Sequence, residues 1–313
     1  MALGTNHSTT TTQAVFIPEI WSDDVIAAYK SNLVIANLVT KLNHSGKKGD
    51  TIHIPKPTRG SASSKAASTQ VTLIANTESE VQISIDKHYE YSKLIEDIVA
   101  VQGLNSMRGF YTDDAGYALA KQVDTDLFAL VEGLQGGSAG GGYAACVIGG
   151  DGSTLYDDAA NTNAGNGSTL TDAGIRKMIQ TLDDADVPMS ERYIVIPPVE
   201  KKTLTGIARF TEQAFTGEVS GGNTIRNGKV GDMYGVEAFV STNCPTETAD
   251  DTTTQYRVGM MFHKSALVHA EQMGVRSQTQ YKQEYLGDLF TTDTIYGVGE
   301  LRDDAGIGFV VPV

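Results

Sequence analysis

The chain has 313 residues, of which 40% are hydrophobic, and it carries 24 Lys and Arg residues against 38 Asp and Glu residues. This length allows one large or two modest domains with a substantial core, at about 150 residues per domain. The net charge of −14 argues against a surface built to bind nucleic acid, and two cysteines are too few for a disulfide framework. The sequence holds no run of about 18 apolar residues, so it predicts no membrane-spanning helix.

The N-terminal region divides into a polar stretch, an apolar segment and a predicted helix. Residues 1–13 are Thr-rich and lack the basic start and apolar run of a secretory signal. Such a polar stretch cannot collapse alone, so it is either disordered or held by another surface. The segment Phe16–Trp21 is apolar and should dock on a surface. Ser22 can then cap a helix, because two aspartates follow it in the first turn.

Two predicted strands flank a long polar stretch. Asp50–Pro55 alternates as a short strand, and Val81–Tyr91 alternates strictly, with Lys87 as the exception on its apolar face. The stretch that begins at Pro55 has two prolines in its first three residues, and it has only small or polar side chains until Val71. This pattern predicts a long two-stranded excursion with little apolar surface to pack on its own subunit.

The charge of this excursion is opposite to that of the rest of the chain. Thr51 to Thr77 contains no Asp or Glu, while Lys56, Arg59 and Lys65 contribute three positive charges. When those three are set aside, the net charge of −14 becomes −17. Docking of the excursion on another copy of the chain would therefore be electrostatically favourable. A flexible, solvated hairpin is the alternative, and the sequence does not decide between them.

Residues 92–134 are predicted to be mostly helical. Ser92 precedes the run KLIEDIVAVQ, which Gly103 breaks. The next helix is capped by Thr112 or begins earlier, near Ser106, and glycines follow its end. Its apolar positions recur at steps of three and four, which places them on one face. These positions are Leu119, Val123, Leu127, Leu130 and Leu134.

The middle of the chain mixes loops, helices and strands. Residues 135–170 are rich in Gly, Ser, Asn and Asp, which is typical of a functional or mobile insertion. Thr171 is expected to cap a helix that runs through Asp184. Glu191–Pro197 forms a predicted buried strand, after which Pro198 can begin another helix. The inward-facing positions of the first of these helices are Ile175, Met178, Ile179 and Leu182.

The remaining sequence is mostly β. Strand-like runs follow one another to the C-terminus, without a regular alternation of strand and helix. This arrangement favours an α+β fold over a doubly wound sheet. The chain ends on an apolar strand, Phe309–Val313, which needs a partner strand or a pocket.

The candidate chemical motifs all have a simpler structural explanation. His263 and His269 share one face of a strand, but without a third ligand they are ordinary strand histidines. Ser138 lies in a literal G-x-S-x-G, yet a helix precedes it, whereas a nucleophile elbow follows a buried strand. The polar loop around Asp151 and Asp157 could gather Ca²⁺, but it fails the calcium-loop pattern. The sequence therefore predicts no enzyme, no metal site and no cofactor.

The order of the predicted parts resembles that of the major capsid proteins of tailed bacteriophages, which have the Hong Kong 97 fold. The parts are an N-terminal arm, a long two-stranded excursion, one long helix, an inserted domain and closing strands. Four phrases are similar to phrases that recur in one branch of phage coat proteins. They are FIPEIWSDDVIAAYKSNLVIANLV, GKKGDTIHIPK, GLNSMRGFYTDDAGYALAKQVDTDLFALV and ERYIVIPPVEKKTL.

The resemblance implies a division of the chain into five parts. Residues 1–49 would be the N-terminal arm and first helix, 50–91 an extended E-loop hairpin, and 92–134 a peripheral domain with a long spine helix. Residues 135–245 would be mainly an axial domain with the Gly/Asn/Asp-rich insertion, and 246–313 the closing strands of the peripheral domain. The residues then expected in assembly contacts are Lys56, Arg59, Lys65, Phe16, Trp21 and Phe309.

The function implied by the resemblance is that of a structural major capsid protein. It would self-assemble as hexamers and pentamers into an icosahedral head shell around the double-stranded DNA of the phage. A separate scaffolding protein and the portal are the further partners, with decoration proteins left open and no membrane. An acidic wall would contact the packaged DNA only weakly and non-specifically. The expected location is the virion, after assembly in the cytoplasm of the host bacterium.

Two other functions remain as alternatives at this point. An encapsulin-like compartment shell has the same fold. A hydrolase that uses Ser138 is the alternative from a different class of protein, and it depends on the one literal motif described above.

Overall fold

A computed structural model describes most of the chain. The described residues are 34–46, 48–56, 60, 62–71, 73, 78–98, 107–137, 143, 146–150, 152, 167–207, 233–248 and 255–313. The predicted N-terminal helix, Ser138 and most of the Asp- and Asn-rich loop lie outside them. Within the described part, two sheets, a separate hairpin and three α-helices give the predicted α+β fold.

The larger sheet combines the middle of the chain with its end. Its strands are β5 (Val147–Ile148), β6 (Arg192–Ile196), β7 (Glu237–Val240), β8 (Thr246–Thr248), β9 (Gln255–His263) and β12 (Gly306–Pro312). The strand order is β5-β12-β9-β6-β7, and β8 pairs with β9. The strands β6, β9 and β12 are buried along almost their whole length, which explains why their sequences are continuous apolar runs.

The smaller sheet has four strands in the order β1-β10-β11-β4. These strands are β1 (Thr40–Asn43), β4 (Lys87–Glu96), β10 (Leu267–Lys282) and β11 (Gly287–Glu300). The pair β10–β11 is antiparallel and extends beyond the short β1, which covers only four residues of β10. The far half of β10 is consequently exposed to solvent.

The long helix α1 (Met107–Ala129) packs between these elements. It begins near the earlier of the two predicted starts and continues as 3₁₀ turns over Leu130–Gly136, which a kink at Leu134 and Gln135 interrupts. The predicted apolar face is confirmed by the burial of its members. Leu119, Leu127 and Leu134 are buried, and Val123 and Leu130 are partly buried against the main core. No helix within the described ranges is long and apolar enough to cross a membrane.

The helices α2 (Asp172–Asp184) and α3 (Pro198–Thr205) confirm two sequence predictions. The Thr171 side chain caps α2, since its hydroxyl oxygen accepts the N–H of Gly174 at 3.3 Å. Pro198 occupies the first position of α3, where its missing N–H costs no hydrogen bond. The predicted inward face of α2 is also confirmed. Ile175, Met178 and Leu182 are fully buried, and Ile179 is partly buried.

The predicted single strand Val81–Tyr91 is wrong, because this stretch is divided between two strands. The first, β3 (Ser79–Ser84), pairs antiparallel with β2 (Thr51–Lys56) to form a separate hairpin, whereas β4 pairs with β11. The chain passes from one pairing to the other at Ile85. The alternation continues through this point because both strands bury the same side of the pleat, so it does not reveal the change of partner.

The helix predicted from Ser92 is also wrong at its start, since β4 continues as a strand to Glu96. All ten residues of β4 pair with β11, and this backbone pairing outweighs the helical spacing of the few apolar residues. The Lys87 exception in the alternating pattern has a structural reason. Its ammonium group lies 3.6 Å from the Asp126 carboxylate of α1, so the lysine contributes to an ion pair on the covered face of the sheet.

The C-terminal strand finds its partners within its own chain. The strand β12 lies between β5 and β9, and the side chain of Phe309 is 0% exposed. The expected partner strand is thus supplied by the same chain, and the expectation that Phe309 is an assembly contact is corrected: Phe309 is a core residue. Among the strands after residue 246, β9 and β12 belong to the larger sheet and β10 and β11 to the smaller one.

The two cysteines test the packing of the core. Burial raises the pKa of both the Cys146 and the Cys244 thiol to about 12, so neither forms a thiolate at pH 8. We expect the native protein to react with neither thiol during minutes of exposure to a chromogenic disulfide reagent. In denaturant the same reagent should titrate two thiols per chain. Rapid reaction of either thiol in the native protein would contradict the packing described above.

Candidate assembly surface

The hairpin of β2 and β3 is anchored at its root on one face of the smaller sheet. Ile83 is buried there with Val268 and Ala270 of β10. The neighbouring apolar residues of the hairpin and of β1 complete this cluster and are partly buried. They are Leu42, Ile52, Ile54 and Val81. The alternate positions of β2 and β3 predicted from the sequence therefore pack on the body of their own subunit.

Hydrogen bonds also fix the root. The N–H of Ile85 donates to the Asp50 carbonyl at 2.7 Å, which closes the hairpin at its base. The side-chain amide of Gln272 on β10 donates to the Gly49 carbonyl at 3.0 Å. These bonds hold the point where the hairpin leaves the sheet, on both the entering and the leaving strand.

The described residues of the outer part of the hairpin show no such anchor. Every described residue from 60 to 73 is exposed. Two apolar side chains stand out, since Val71 is 65% exposed and Leu73 is 91% exposed. Exposed apolar side chains on a projecting loop are typical of a contact with another molecule. Neither residue is among the predicted assembly contacts, although both follow a long polar stretch, which is the sequence signal that could have indicated them.

The predicted basic residues of the hairpin are placed differently from one another. Lys56 ends β2 and is exposed, and Lys65 is exposed on the outer loop. The hydrogen bonds of Arg302 lower the pKa of Asp304, and the positive charge of Lys56 adds to this effect. The positive charge of Lys56 therefore acts partly on Asp304 of its own subunit, whereas Lys65 is exposed on the outer loop. Arg59, Phe16 and Trp21 lie outside the described residues.

A second exposed apolar group lies where β10 turns into β11, and we call it the sheet tip. It consists of Tyr285, Leu286 and Ile98, all of which are exposed. The N–H of Asp97 donates to the Leu286 carbonyl at 2.9 Å, and the Tyr281 hydroxyl donates to the Asp97 carboxylate at 2.8 Å. These bonds hold the end of β4 against the turn, so the sheet tip is an ordered projection with an apolar surface.

Charged side chains connect three strands of the projecting part of the smaller sheet, and we call this group of contacts the brace. Arg276 of β10 donates to both carboxylate oxygens of Asp293 on β11, at 3.1 and 2.8 Å. The ring of His88 on β4 lies 3.3 Å from the same carboxylate. The Arg276 guanidinium, with His88 as a second contributor, lowers the pKa of Asp293 below its usual value. Three neighbouring strands are therefore joined through one carboxylate.

The low pKa of Asp293 gives this brace a defined dependence on pH. Its stabilisation is present above the unfolded-state pKa, near 3.8, and is lost as the pH falls through the still lower folded-state pKa. We expect Asp293→Asn to lower the melting temperature by a few degrees at pH 7. The difference from wild type should shrink below about pH 4. Circular dichroism melts can measure both, with Asp288→Asn as the exposed control on the same strand. A difference that stayed constant down to pH 3 would contradict the brace.

The histidines behave as structural residues. His263 forms a 2.7 Å hydrogen bond with the Ser265 hydroxyl, and burial lowers the pKa of His263 and of His269. Among the described residues no group of three or more His, Cys, Asp and Glu side chains could hold a metal ion. Ser138, the candidate nucleophile, lies outside the described residues. The features of the described surface are thus projections and apolar patches, which suit contacts between macromolecules.

Comparison with known proteins identifies the family. A family model for phage capsid protein matches residues 21–302, which is most of the chain. The chain belongs to the phage capsid protein family. This capsid protein is a structural subunit of the phage head shell, and its place is in the virion. Of the alternatives raised by the sequence, the family match supports the viral shell protein.

Solved capsid structures share the fold of the whole chain. A structure from Mycobacterium phage Che8 has a TM-score of 0.72 at 24% identity, covering 94% of this chain and 97% of that one. The capsid of cyanophage P-SCSP1u gives 0.72 at 20% identity, covering 99% and 96%. The acid-stable capsid of Helicobacter pylori bacteriophage KHP30 gives 0.70 at 11% identity, with both chains covered completely. Among curated proteins, no match is found.

Proposed function

We propose that this capsid protein assembles as rings of six and five copies, in which the hairpin formed by β2, β3 and the loop between them (residues 51–84) acts as an E-loop that reaches an adjacent copy. The observation that carries the proposal is the contrast within the hairpin. Its root is buried and hydrogen-bonded to its own subunit, while the described residues of its outer loop, which include Val71 and Leu73, are exposed. A surface of one copy that fits a different surface of the next makes a head-to-tail contact, and such contacts close into rings.

Charge supports the same arrangement. The hairpin carries Lys56, Arg59 and Lys65 without an acidic residue between Thr51 and Thr77, and the rest of the chain is strongly acidic. The attraction between a basic loop and an acidic neighbour steers the two copies together and disfavours contacts between two acidic bodies. Lys65 has the larger part in this attraction, because the charge of Lys56 already acts on Asp304 of its own subunit, where it helps to lower the pKa of that carboxyl.

The remaining parts of the chain have roles in the same shell. Residues 92–134 supply the spine helix of a peripheral domain, and much of 135–245 supplies an axial domain at the centre of each ring. The apolar sheet tip of one copy meets other copies where rings adjoin. A separate scaffolding protein guides assembly in the host cytoplasm, and the portal occupies one vertex. The acidic wall contacts the packaged double-stranded DNA weakly and without sequence preference.

The apolar end of the hairpin gives the first test of this assembly. Changing Val71 and Leu73 together to Asp should abolish rapidly sedimenting particles, because charged groups cannot be buried in an apolar contact without a partner. The folded subunit should keep its melting temperature, since both side chains are exposed. Sucrose-gradient sedimentation and negative-stain microscopy, with the protein expressed alone and with a scaffolding protein, measure the outcome.

A matched variant controls for added negative charge. Met189 lies in the turn between α2 and β6, is 74% exposed and is not part of the hairpin. Met189→Asp should therefore leave the particle yield unchanged. If the Val71 and Leu73 variant formed particles as well as wild type, the apolar contact would be wrong. If wild type itself stayed slow and monomeric under both conditions, self-assembly would be wrong.

The charge of the hairpin gives a separate test. Lys65→Glu should raise the protein concentration needed for assembly by several-fold at low salt, because it replaces an attraction with a repulsion at every copy of the contact. The effect should shrink above about 0.5 M salt, where charges are screened over a few ångströms. Lys202→Glu on α3 makes the same change of charge away from the hairpin and should have little effect. Equal effects of the two variants at all salt concentrations would exclude a specific role for Lys65.

A further inference from the structure

We infer that Gly297 and Gly299 form a recess in the smaller sheet that sets the direction in which the hairpin leaves the body, and that they are positioning residues for assembly. This inference rests on the proposed role of the hairpin as the contact with an adjacent copy. Neither glycine lies in the hairpin, and both are about 200 residues distant from it in the sequence.

The first step is the position of these glycines on the sheet. Gly297 lies opposite Ala270 and Gly299 opposite Val268 in the β10–β11 pairing. Residues two apart on a strand point to the same face, so these four residues form one patch. Their neighbours on β11 point to the other face: the Tyr296 hydroxyl donates to Asp126 of α1, and Val298 packs against the main core. The patch with the glycines is therefore the face opposite to the long helix.

The second step is what fills this patch. A Cβ atom on Gly297 would overlap the Ser84 carbonyl oxygen and would lie 3.1 Å from the Ile85 Cα. A Cβ atom on Gly299 would lie 3.3 Å from the Ile83 side chain. The chain therefore crosses β11 at the place where it passes from β3 to β4, and it does so in direct contact with the backbone of Gly297. A side chain at this position would push that crossing away from the sheet.

The third step is the consequence for the hairpin. The described residues of its outer loop are exposed, so among the described contacts those at the root determine where that loop points. The paired part of β2 and β3 is six residues long on each side, or about 20 Å. A displacement at the root is amplified along this length. The root is held on the sheet, because Ile83 is buried with Val268 and Ala270 of β10 and the Gln272 side-chain amide donates to the Gly49 carbonyl.

The direction of the hairpin can be measured on the isolated subunit. Ser79→Cys places a spin label at the outer end of β3, and Met189→Cys places a second one on the body, at exposed positions. The native cysteines are buried and should not be labelled. With the labelled protein carrying Gly297→Ala, pulsed electron resonance should give a shifted and broader distance distribution than with glycine. Gly116→Ala is the control, since a Cβ atom there meets nothing within 4 Å.

Assembly is the second measurement, on unlabelled variants. Gly297→Ala should lower the yield of particles in the sucrose gradient by about tenfold or more, the change that a modest loss of contact free energy produces. Gly299→Ala should have a smaller effect in the same direction, because the Ile83 side chain can move by a few tenths of an ångström. Circular dichroism melts establish that each variant is folded. If Gly297→Ala does not fold, the milder Gly299→Ala carries the test.

The outcomes separate this inference from the proposed function. Unchanged distances in a folded Gly297→Ala variant would contradict the inference that this glycine sets the direction of the hairpin. A loss of particles without a change in distance would contradict it as well. A changed distance with normal particle yield would overturn the role of the hairpin direction in assembly. If wild type formed no particles, the proposed assembly would fail, while the distance measurement would still decide whether the glycines orient the hairpin.

Discussion

The structure depends on two buried carboxylates that face different partners from one helix. Asp124 of α1 accepts the backbone N–H of Ile35 at 2.9 Å and so holds the segment that leads into β1. Asp126, two residues on, accepts the Tyr296 hydroxyl at 2.7 Å and lies 3.6 Å from the Lys87 ammonium group. Buried carboxylates without such partners would be costly. The helix is therefore fixed in position against the chain entering the smaller sheet and against the sheet itself.

Because this helix is fixed against one side of the smaller sheet, the two faces of that sheet have different roles. On β11, Tyr296 and Val298 point toward α1 and the main core, whereas Gly297 and Gly299 point toward the hairpin root. Large side chains on one face pack against the helix and the core, and small residues on the other face let a second backbone approach closely. The hairpin is thereby mounted on a surface that the core keeps rigid, and its outer loop remains available for contact.

Sequence patterns predicted where helices and strands lie better than they predicted which segments those elements pair with or pack against. The apolar stripe that ends at Leu134 and the Thr171 cap were sufficient for α1 and α2, because helix periodicity and capping are local properties. The alternation of Val81–Tyr91 was equally regular, yet it did not show that the chain changes sheets at Ile85, since the strand period is the same for any partner. Phe309 was misassigned for a related reason. An apolar strand must be buried, but its sequence does not say whether its own chain or another copy covers it.

The same limit applies to the assembly surface. The basic charge of the hairpin was visible in the sequence, whereas the importance of Gly297 depends on its contact with Ser84, more than 200 residues away. In a shell subunit there is a physical reason why one part of the chain makes the contact and another part orients it. Each contact between copies can be weak, because it is repeated around every ring and across the shell. Weak contacts form correctly only when the projecting element already points the right way, since a flexible one would lose entropy at each contact. A rigid mount on the sheet and an exposed loop at the end of the hairpin satisfy both requirements.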